Sequence, residues 1–316
     1  MRLTIGIEES RMTISPPVRT KRRPSEMTGL WFILPSFLHL AVFSLFPIGF
    51  ALVLSLYRWD VLKPDKPFVG LANYAHLLRD PFFWNALGNS AYYTVVSVPM
   101  GMALALGVAL LVHQKLPGVA LFRTLYYLPA VSSSVALAMV WTFLYLPGQG
   151  LFAWMLNTLG LRSWAQVDWL QSPSWAMPAL IFMSLWTGLG PRMVLFLAGL
   201  AGIPEQLYEA AAMDGASRWE SFRYITLPLL LPTTFFILVT SSISAFQVFT
   251  PIYMMTRGGP VRHTEVIGYH IYNQAWRQFH MGMASAQAYV LFLLILAVTI
   301  LQFKIVSKRM EEYSLQ

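Results

Sequence analysis

The chain has 316 residues, of which 56% are hydrophobic and only 11% are charged, and its formal net charge is +8. Soluble domains carry about 25% charged residues, so a water-soluble fold of this composition would have too few charges to stay dissolved. The positive charge is typical of cytoplasmic loops that face anionic headgroups, and we expect no nucleic-acid partner. The chain contains no cysteine, which excludes disulfides and thiolate chemistry.

Six apolar stretches are long enough to cross a bilayer, which takes about 20 residues in a helix. They cover residues 30–56, 91–112, 121–146, 175–200, 229–254 and 283–306. Prolines inside these stretches are compatible with spanning helices because neighbouring helices and hydroxyl groups satisfy the freed carbonyls. The sequence therefore predicts an all-α polytopic membrane protein with six transmembrane helices.

Basic residues in both terminal tails predict the orientation of these helices. The N-terminal tail contains the run Lys21-Arg22-Arg23, and the C-terminal region contains Lys304 and Lys308. Lysine and arginine are enriched on the cytoplasmic side, and an even number of spans places both termini on that side.

Domain organisation follows from this topology. We predict a cytoplasmic arm over residues 1–29, a membrane domain over residues 30–306 and a cytoplasmic tail over residues 307–316. The longer of the two predicted inner loops covers residues 201–228.

The loop over residues 201–228 is far longer than the about 2–8 residues that a bare helix connector takes. Pro204 suits the first turn of a helix, and Gly215 suits its end because glycine adopts positive φ without penalty. A second short helix is expected over residues 217–224, with Trp219, Phe222 and Ile225 available for burial and Leu227-Pro228 as its end. The pattern predicts two short helices around a glycine.

The residues of this loop resemble the EAA motif of binding-protein-dependent ABC importer permeases. The segments "FVGLANY", "LFRTLYYLP" and "IYMMTRGGP" are in addition similar to the sugar-permease branch, of the maltose and glycerol-3-phosphate type. The resemblance covers nearly the whole chain after Gly29 and implies the type I ABC importer permease fold. The positions that carry the motif are Glu209, Ala210, Ala211, Gly215, Ile225, Leu227 and Pro228.

The resemblance implies that the first helix of the loop is a coupling helix that docks in a cleft of an ATPase subunit. Glu209 would pair with a basic group there, Ala210 and Ala211 would permit close packing, and Gly215 would make the bend. Asp214 belongs to the same coupling segment.

The resemblance also implies partners and a location. The partners are two ABC ATPase subunits that hold ATP and Mg²⁺, a second and different permease, and an extracytoplasmic solute-binding protein. The location is the bacterial cytoplasmic, or inner, membrane.

The chain itself carries no motif for ATP hydrolysis. Glycine followed by lysine never occurs, so there is no phosphate-binding loop of the G-x-x-x-x-G-K-[ST] type. His263, His270 and His280 share a predicted outer loop, but their spacing matches no common metal motif. We therefore expect no catalytic residue, no cofactor and no metal in this chain.

Arg192 is the clearest ionisable residue inside a predicted span, and such residues are candidates for function. It follows Gly188, Gly190 and Pro191, which can break a helix and expose backbone groups to a solute. Two interpretations stay open: a polar contact in the translocation path, with Gly188, or a structural pair with a carbonyl or a neighbouring subunit.

The fifth predicted span carries polar residues that could contact a solute. Ser241, Ser244, Val248 and Pro251 are expected on one helix face, with Gln247 beside it. Hydroxyl and amide groups match the hydrogen bonds of a sugar, while the alternative is that the serines allow close helix packing. Trp186 and Tyr253 are possible platforms for a sugar ring.

The sequence thus favours a permease subunit of an ATP-driven importer for a sugar or sugar-like solute, such as an oligosaccharide, glycoside or polyol. Arg192 keeps a phosphorylated polyol, such as glycerol 3-phosphate, as an alternative solute. Two other classes are a secondary transporter and a structural membrane protein. The predicted spans contain no Asp or Glu for ion coupling, which argues against the secondary transporter.

Overall fold

The structure is a computed structural model, and it describes residues 26–114 and 118–314, with the side chains of 31–114 and 118–306. The predicted cytoplasmic arm lies outside the described residues as far as residue 25, and a helix already begins at Glu26. Of the predicted tail, residues 315–316 lie outside the description, and helix continues as far as Ser314.

The described residues form thirteen helices with α-helical turns, which we number in chain order, and two further π-helical segments cover Ile252–Thr256 and Asn273–Arg277. The first, α1, joins Glu26–Leu40, a π-helical turn Ala41–Leu45 and Phe46–Ser55. The others are α2 (Ala72–Leu77), α3 (Pro81–His113), α4 (Val119–Val131), α5 (Ser134–Leu144), α6 (Leu151–Thr158), α7 (Arg162–Ala165), α8 (Ala176–Ala201), α9 (Glu205–Met213), α10 (Arg218–Leu229), α11 (Leu231–Phe246), α12 (Ile267–Tyr272) and α13 (Met281–Ser314).

Four of these helices contain segments long and apolar enough to cross a membrane: Trp31–Ser55, Pro81–His113, Ala176–Ala201 and Met281–Val306. Two bent helix pairs, α4 with α5 and α10 with α11, pass the same criteria together. The predicted all-α class is confirmed, and the six predicted spans correspond to the four helices and the two bent pairs.

The third predicted span is not one straight helix. Helices α4 and α5 meet at an angle of 102°, and the break lies at Ser132 and Ser133, whose backbones are extended. Pro129 removes a helical donor just before the break, and the Ser132 hydroxyl donates to the Leu128 carbonyl at 3.1 Å. The side chain thus satisfies a backbone group near the broken end of α4.

The fifth predicted span is shorter than expected. Helix α11 ends at Phe246, and Gln247 follows as its C-terminal cap. Val248 therefore lies outside the helix, and Pro251 belongs to the next turn, so neither extends the predicted polar face. Pro251 has no backbone N–H, so it cannot donate to the Gln247 carbonyl as one continuous helix would require.

Helix α8 runs unbroken through Gly188, Gly190 and Pro191, so the predicted break at these residues is wrong. The glycines serve close packing instead. A Cβ atom on Gly190 would lie 2.4 Å from the Tyr126 carbonyl oxygen of α4, which shows how closely the two backbones approach. Small residues at helix contacts are typical of membrane proteins.

Helices α3 and α8 pack side by side and run in the same direction. Gly101 of α3 lies against Arg192 of α8, and further along, Ala105 and Ala109 share a buried cluster with Phe196. The start of α3 and the start of α8 therefore lie at one end of this pair. We call that end the distal end, because the loop after α8 lies at the other.

Helix α13 begins at the distal end and runs back along α11. The Gly282 amide donates to the Trp59 carbonyl at 3.1 Å, and Gln302 donates to the Ser242 hydroxyl at 2.9 Å. Phe235 and Phe303 stack edge to face with ring centroids 4.9 Å apart. The last two contacts join α13 to α11 at the neighbouring residues Gln302 and Phe303.

The close approach of α4 to α8 yields a test of the packing. Gly190→Ala should destabilise the protein by about 1–3 kcal/mol, because the new methyl group meets rigid backbone rather than a mobile side chain. Thermal unfolding of the detergent-solubilised protein measures this. Gly107→Ala in α3 is the matched control, since a Cβ atom there meets nothing within 4 Å. Equal unfolding temperatures for the two variants would contradict the packing.

Candidate coupling loop and solute path

The loop between α8 and α10 is a compact helical unit that begins three residues after α8. Pro204 is the N-cap of α9, and Asp214 is its C-cap. Gly215 has φ of +80°, in the left-handed region where glycine has no steric penalty. The Ala216 amide donates to the Ala211 carbonyl at 2.9 Å, which closes the end of α9.

Helix α10 begins with a capping box that the residue-by-residue reading missed. The Ser217 hydroxyl accepts from the Glu220 amide, and the Glu220 carboxylate accepts from the Ser217 amide at 2.7 Å. These bonds to Ser217 hold the pKa of Glu220 below its usual value. The S-x-x-E pattern in the sequence is the signal that could have found this start.

The second helix ends one residue beyond the expected end at Leu227-Pro228. Helix α10 continues to Leu229 through a π-helical turn, Phe222–Thr226, and meets α11 at 63°. The π turn shifts the hydrogen-bond register just before Pro228, so the proline is accommodated inside the helix. The loop therefore passes directly into the fifth span rather than through a separate connector.

A hydrogen bond ties the two helices of the loop together. The hydroxyl oxygens of Tyr208 in α9 and Thr226 in α10 lie 2.9 Å apart, and Thr226 is buried. Ile225 and Leu227 are half-buried beside it. Sequence reasoning missed this pair, because the two residues lie on different helices and match no local pattern.

Four of the eight predicted coupling residues are exposed, and the other four are half-buried. Glu209, Ala210, Asp214 and Gly215 are exposed, and Ala211 is half-buried. The structure thus leaves the EAA segment open to a partner.

Exposed apolar side chains lie on the same loop. Met213 is 84% exposed, Tyr224 is 71% exposed and Trp219 is 65% exposed. Trp219 is therefore not buried within this chain and stays available for burial against a partner, whereas Phe222 and Ile225 are half-buried.

The Arg192 side chain extends from α8 into a space lined by Gly101 of α3, Gly188 of α8 and Ser241 of α11, which we call the cradle. A Cβ atom on Gly101 would lie 2.2 Å from its Nη1 atom, and one on Gly188 would lie 3.0 Å from it. The Arg192 Nε atom donates to the Ser241 hydroxyl at 3.1 Å. Nη1 is buried and has no hydrogen-bond partner within residues 31–114 and 118–306. The structure therefore brings Arg192, Gly188 and Ser241 together, and the partner of Arg192 is a hydroxyl of this chain rather than a carbonyl or a neighbouring subunit.

Ser244 and Gln247 do not join this cluster. Ser241 is buried against Arg192, whereas Ser244 and Gln247 are exposed. One part of the predicted polar face is therefore buried and the other part is exposed. Thr240 precedes Ser244 by four residues and is partly exposed. Residues three and four apart lie on one side of a helix, so Thr240, Ser244 and Gln247 form one polar stripe.

The hydroxyl groups of the polar stripe have free acceptor capacity. Thr240 donates to the Phe236 carbonyl at 2.8 Å, and Ser244 donates to the Thr240 carbonyl at 2.9 Å. Each hydroxyl oxygen retains lone pairs that can accept hydrogen bonds from a ligand. Thr240 was missed by the sequence reasoning, although its spacing to Ser244 was visible.

The two candidate aromatic platforms lie in separate ring clusters. Trp186 is 41% exposed and lies 5.5 Å from the ring of Trp141. Tyr253 stacks on Phe249 at 5.3 Å. Among the histidines, His270 is buried and its Nδ1 atom lies 2.9 Å from the Glu265 carboxylate, so it forms a structural pair.

Comparison with known proteins places this geometry in a family. Residues 97–312 match the family described as "Binding-protein-dependent transport system inner membrane component". Two solved structures share the fold: a bacterial ABC transporter involved in the import of the acidic polysaccharide alginate, and a bacterial alginate ABC transporter in complex with an alginate pentasaccharide-bound periplasmic protein. The TM-scores are 0.77 and 0.79 at 24% and 22% identity, covering 89% and 90% of this chain and 97% and 96% of theirs.

Curated relatives support the same assignment. The probable ABC transporter permease YesP of Bacillus subtilis is 35% identical and covers 89% of this chain and 91% of its own. The trehalose/maltose permease MalF of Thermococcus litoralis is 35% identical, with shares of 88% and 92%. The sn-glycerol-3-phosphate permease UgpA of Rhizobium meliloti is 33% identical, with shares of 90% and 97%. The chain belongs to the binding-protein-dependent transport system inner membrane component family, and it is a multi-pass permease subunit of an ABC transporter, not an enzyme, a secondary transporter or a purely structural protein.

Proposed function

We propose that this permease imports a sugar or sugar-like solute and that its α9–α10 loop is the element that couples it to ATP hydrolysis. The observation that carries the proposal is the loop itself, a capped helix pair with the EAA segment exposed on it. A solvated connector would need neither the capping box of Ser217 and Glu220 nor the hydrogen bond between Tyr208 and Thr226. Both fix the position of an exposed surface, as docking to a partner requires.

The remaining partners follow from the same proposal. Two ATPase subunits hold ATP and Mg²⁺, a second and different permease completes the path, and an extracytoplasmic binding protein delivers the solute. The chain resides in the bacterial cytoplasmic membrane with both termini in the cytoplasm. In that orientation the α9–α10 loop faces the ATPases and the distal end faces the binding protein.

Motion of the loop can reach the solute path through two helices at once. Only residues 202–204 separate α8 from α9, and α10 passes into α11 through a bend of 63°. The Arg192–Ser241 bond joins α8 to α11, so displacement of the loop moves both helices together. Closure of the ATPases would then shift the polar stripe between inward and outward access, as alternating access requires.

The polar stripe favours a neutral sugar as solute. Thr240, Ser244 and Gln247 offer hydroxyl and amide groups without a formal charge, which suits the hydroxyls of a sugar. The names of the trehalose/maltose relatives agree with this choice.

The second candidate is a phosphorylated polyol, which the glycerol-3-phosphate relatives bring into consideration. Arg192 supports it through one observation: its Nη1 donor has no partner among the described side chains. An anionic group that reached the cradle would satisfy that donor. Uptake of a neutral disaccharide and of glycerol 3-phosphate by the assembled transporter separates the two solutes.

Coupling through the loop predicts that Glu209→Lys abolishes ATPase stimulation by the binding protein. Glu209 is exposed, so the change reverses a docking charge without disturbing the fold. Stimulated ATP hydrolysis by the purified, fully assembled complex is the measurement. Gly215→Ala should weaken coupling as well, because a side chain at φ of +80° costs about 1–2 kcal/mol.

Gly202→Ala is the matched control for that glycine, since its φ of −80° accepts a side chain. Full stimulation of Glu209→Lys with normal subunit stoichiometry would show that the loop is not the coupling element.

A solute path along the polar stripe predicts that Ser244→Ala and Gln247→Leu lower uptake while the thermal stability stays unchanged. Each variant removes a hydrogen bond to solute worth about 1–3 kcal/mol. Ser241→Ala is the informative contrast, because it removes the acceptor of a buried guanidinium and should lower stability as well. Uptake kinetics and unfolding temperature are measured on all three. Wild-type uptake by Gln247→Leu would remove this residue from the path.

Cytoplasmic termini predict the behaviour of topology reporters. A reporter fused after Gln316 should give the signal of a cytoplasmic location. A reporter inserted near Asp168 should give the signal of an external location. Alkaline phosphatase and green fluorescent protein fusions distinguish the two compartments. An external signal from the Gln316 fusion would refute the proposed orientation.

A further inference from the structure

A polar cavity of about 870 Å³ lies at the distal end of the molecule, where α1 ends and α3 and α13 begin. It plays no part in the coupling loop or the polar stripe. Its polar lining contains two arginines, a lysine, two histidines, two aspartates, two glutamines, an asparagine and a tryptophan. The residues used in the following argument are Arg58, Trp59, His76, Arg79 and His280.

Hydrogen bonds to the backbone and close packing hold the walls of the cavity in place. The Asn73 amide donates to the carbonyls of Ser55 and Tyr57 at 2.7 and 3.0 Å. Gly282 packs so closely that a Cβ atom there would lie 2.1 Å from the Tyr57 carbonyl oxygen. The Arg58 backbone amide donates a hydrogen bond to the Pro67 carbonyl at 3.0 Å, so backbone contacts fix the position of Arg58 as well. The backbone that carries the cations is therefore positioned before any ligand arrives.

The acidic groups of the cavity already have partners. The Asp60 carboxylate accepts from the Leu62 amide at 3.0 Å and lies 3.4 Å from the Lys63 ammonium. The Leu62 hydrogen bond holds the pKa of Asp60 below its usual value, so Asp60 stays anionic and Lys63 balances it. The Asp80 carboxylate caps α3 by accepting from the Phe82 amide at 2.9 Å.

The two guanidinium groups of the cavity, by contrast, are not neutralised. Across residues 31–114 and 118–306, no ion pair or side-chain hydrogen bond involves Arg58 or Arg79. Both are exposed, and the imidazoles of His76 and His280 line the same cavity. Two free guanidiniums with neighbouring imidazole donors are the groups that proteins use to bind a phosphate.

The surroundings of the cavity point to a lipid as the source of that phosphate. Leu62 is 73% exposed, Leu71 is 71% exposed and Leu78 is 63% exposed, and all three lie on the segment that forms the cavity wall. The cavity lies at the ends of helices long enough to span a bilayer, which is the level of the headgroups. A tryptophan at this level is typical of either membrane–water interface, and the exposed leucines next to it offer an apolar surface to acyl chains.

We propose that this distal cavity binds the phosphate headgroup of an anionic phospholipid, with Arg58 and Arg79 as the phosphate ligands and the exposed leucines against the acyl chains. A free phosphate ion shares the headgroup chemistry but would make no use of the leucines. The bound lipid would hold residues 57–80 at the membrane surface. The inference does not depend on which solute the permease carries.

The test uses the fully assembled transporter, reconstituted in phosphatidylcholine with phosphatidylglycerol. After transfer to detergent, native mass spectrometry counts the phosphatidylglycerol that each complex retains. The double variant Arg58→Gln/Arg79→Gln should lower this retention about tenfold, because two cationic contacts to one phosphate are lost. Arg162→Gln is the matched control, since Arg162 is exposed on α7 and lies outside the cavity. It should retain phosphatidylglycerol as the wild type does.

Three results would overturn the proposal. The first is equal retention of phosphatidylglycerol by the double variant and the wild type. The second is displacement of the retained lipid by inorganic phosphate alone, which would identify a free-anion site. The third is unchanged retention with a loss of stimulation by the binding protein, which would identify a protein-docking surface. Arg79→Gln alone, with one cation removed, provides the same readout if the double variant does not assemble.

Discussion

The close packing of α3 against α8 is the contact on which the rest of the membrane domain depends. Gly101, Ala105 and Ala109 let the two helices approach, and the same glycine makes room for the Arg192 guanidinium. A larger residue at position 101 would occupy the space of Nη1. The Arg192 Nε atom donates to the Ser241 hydroxyl, so this side chain links α8 to α11.

This arrangement separates the helix-packing side of α11 from the side proposed to face the solute. The buried side of α11 carries Ser241 and Ser242, which bond to Arg192 and Gln302, whereas the exposed side carries the polar stripe. The same helix continues into the coupling loop through the bend near Leu230. The α9–α10 loop is thus continuous with the helix that carries the polar stripe, and the Arg192–Ser241 hydrogen bond links that helix, α11, to α8.

Much of this could be predicted from the sequence, because hydrophobic length and local spacing determine it. The helical class, the six apolar stretches and the helix stop at Gly215 follow from such patterns. One difference from the sequence interpretation shows why the rest could not be predicted: Gly188, Gly190 and Pro191 can break a helix, yet α8 runs through them because neighbouring helices pack against it. The glycines meet backbone and guanidinium atoms there, so they permit contact instead of breaking the helix.

The sequence by itself determined the family resemblance, the membrane location and the residues of the coupling loop, since these depend on composition and on residues close in the chain. Only the tertiary structure decided which side of α11 is buried, where the third span breaks, and that Arg192 meets Ser241 across two helices. It also joined Arg58 and Arg79 into one cavity next to His280, more than half the chain away. Such groupings depend on how helices pack, and helix packing brings together residues whose spacing in the sequence carries no signal.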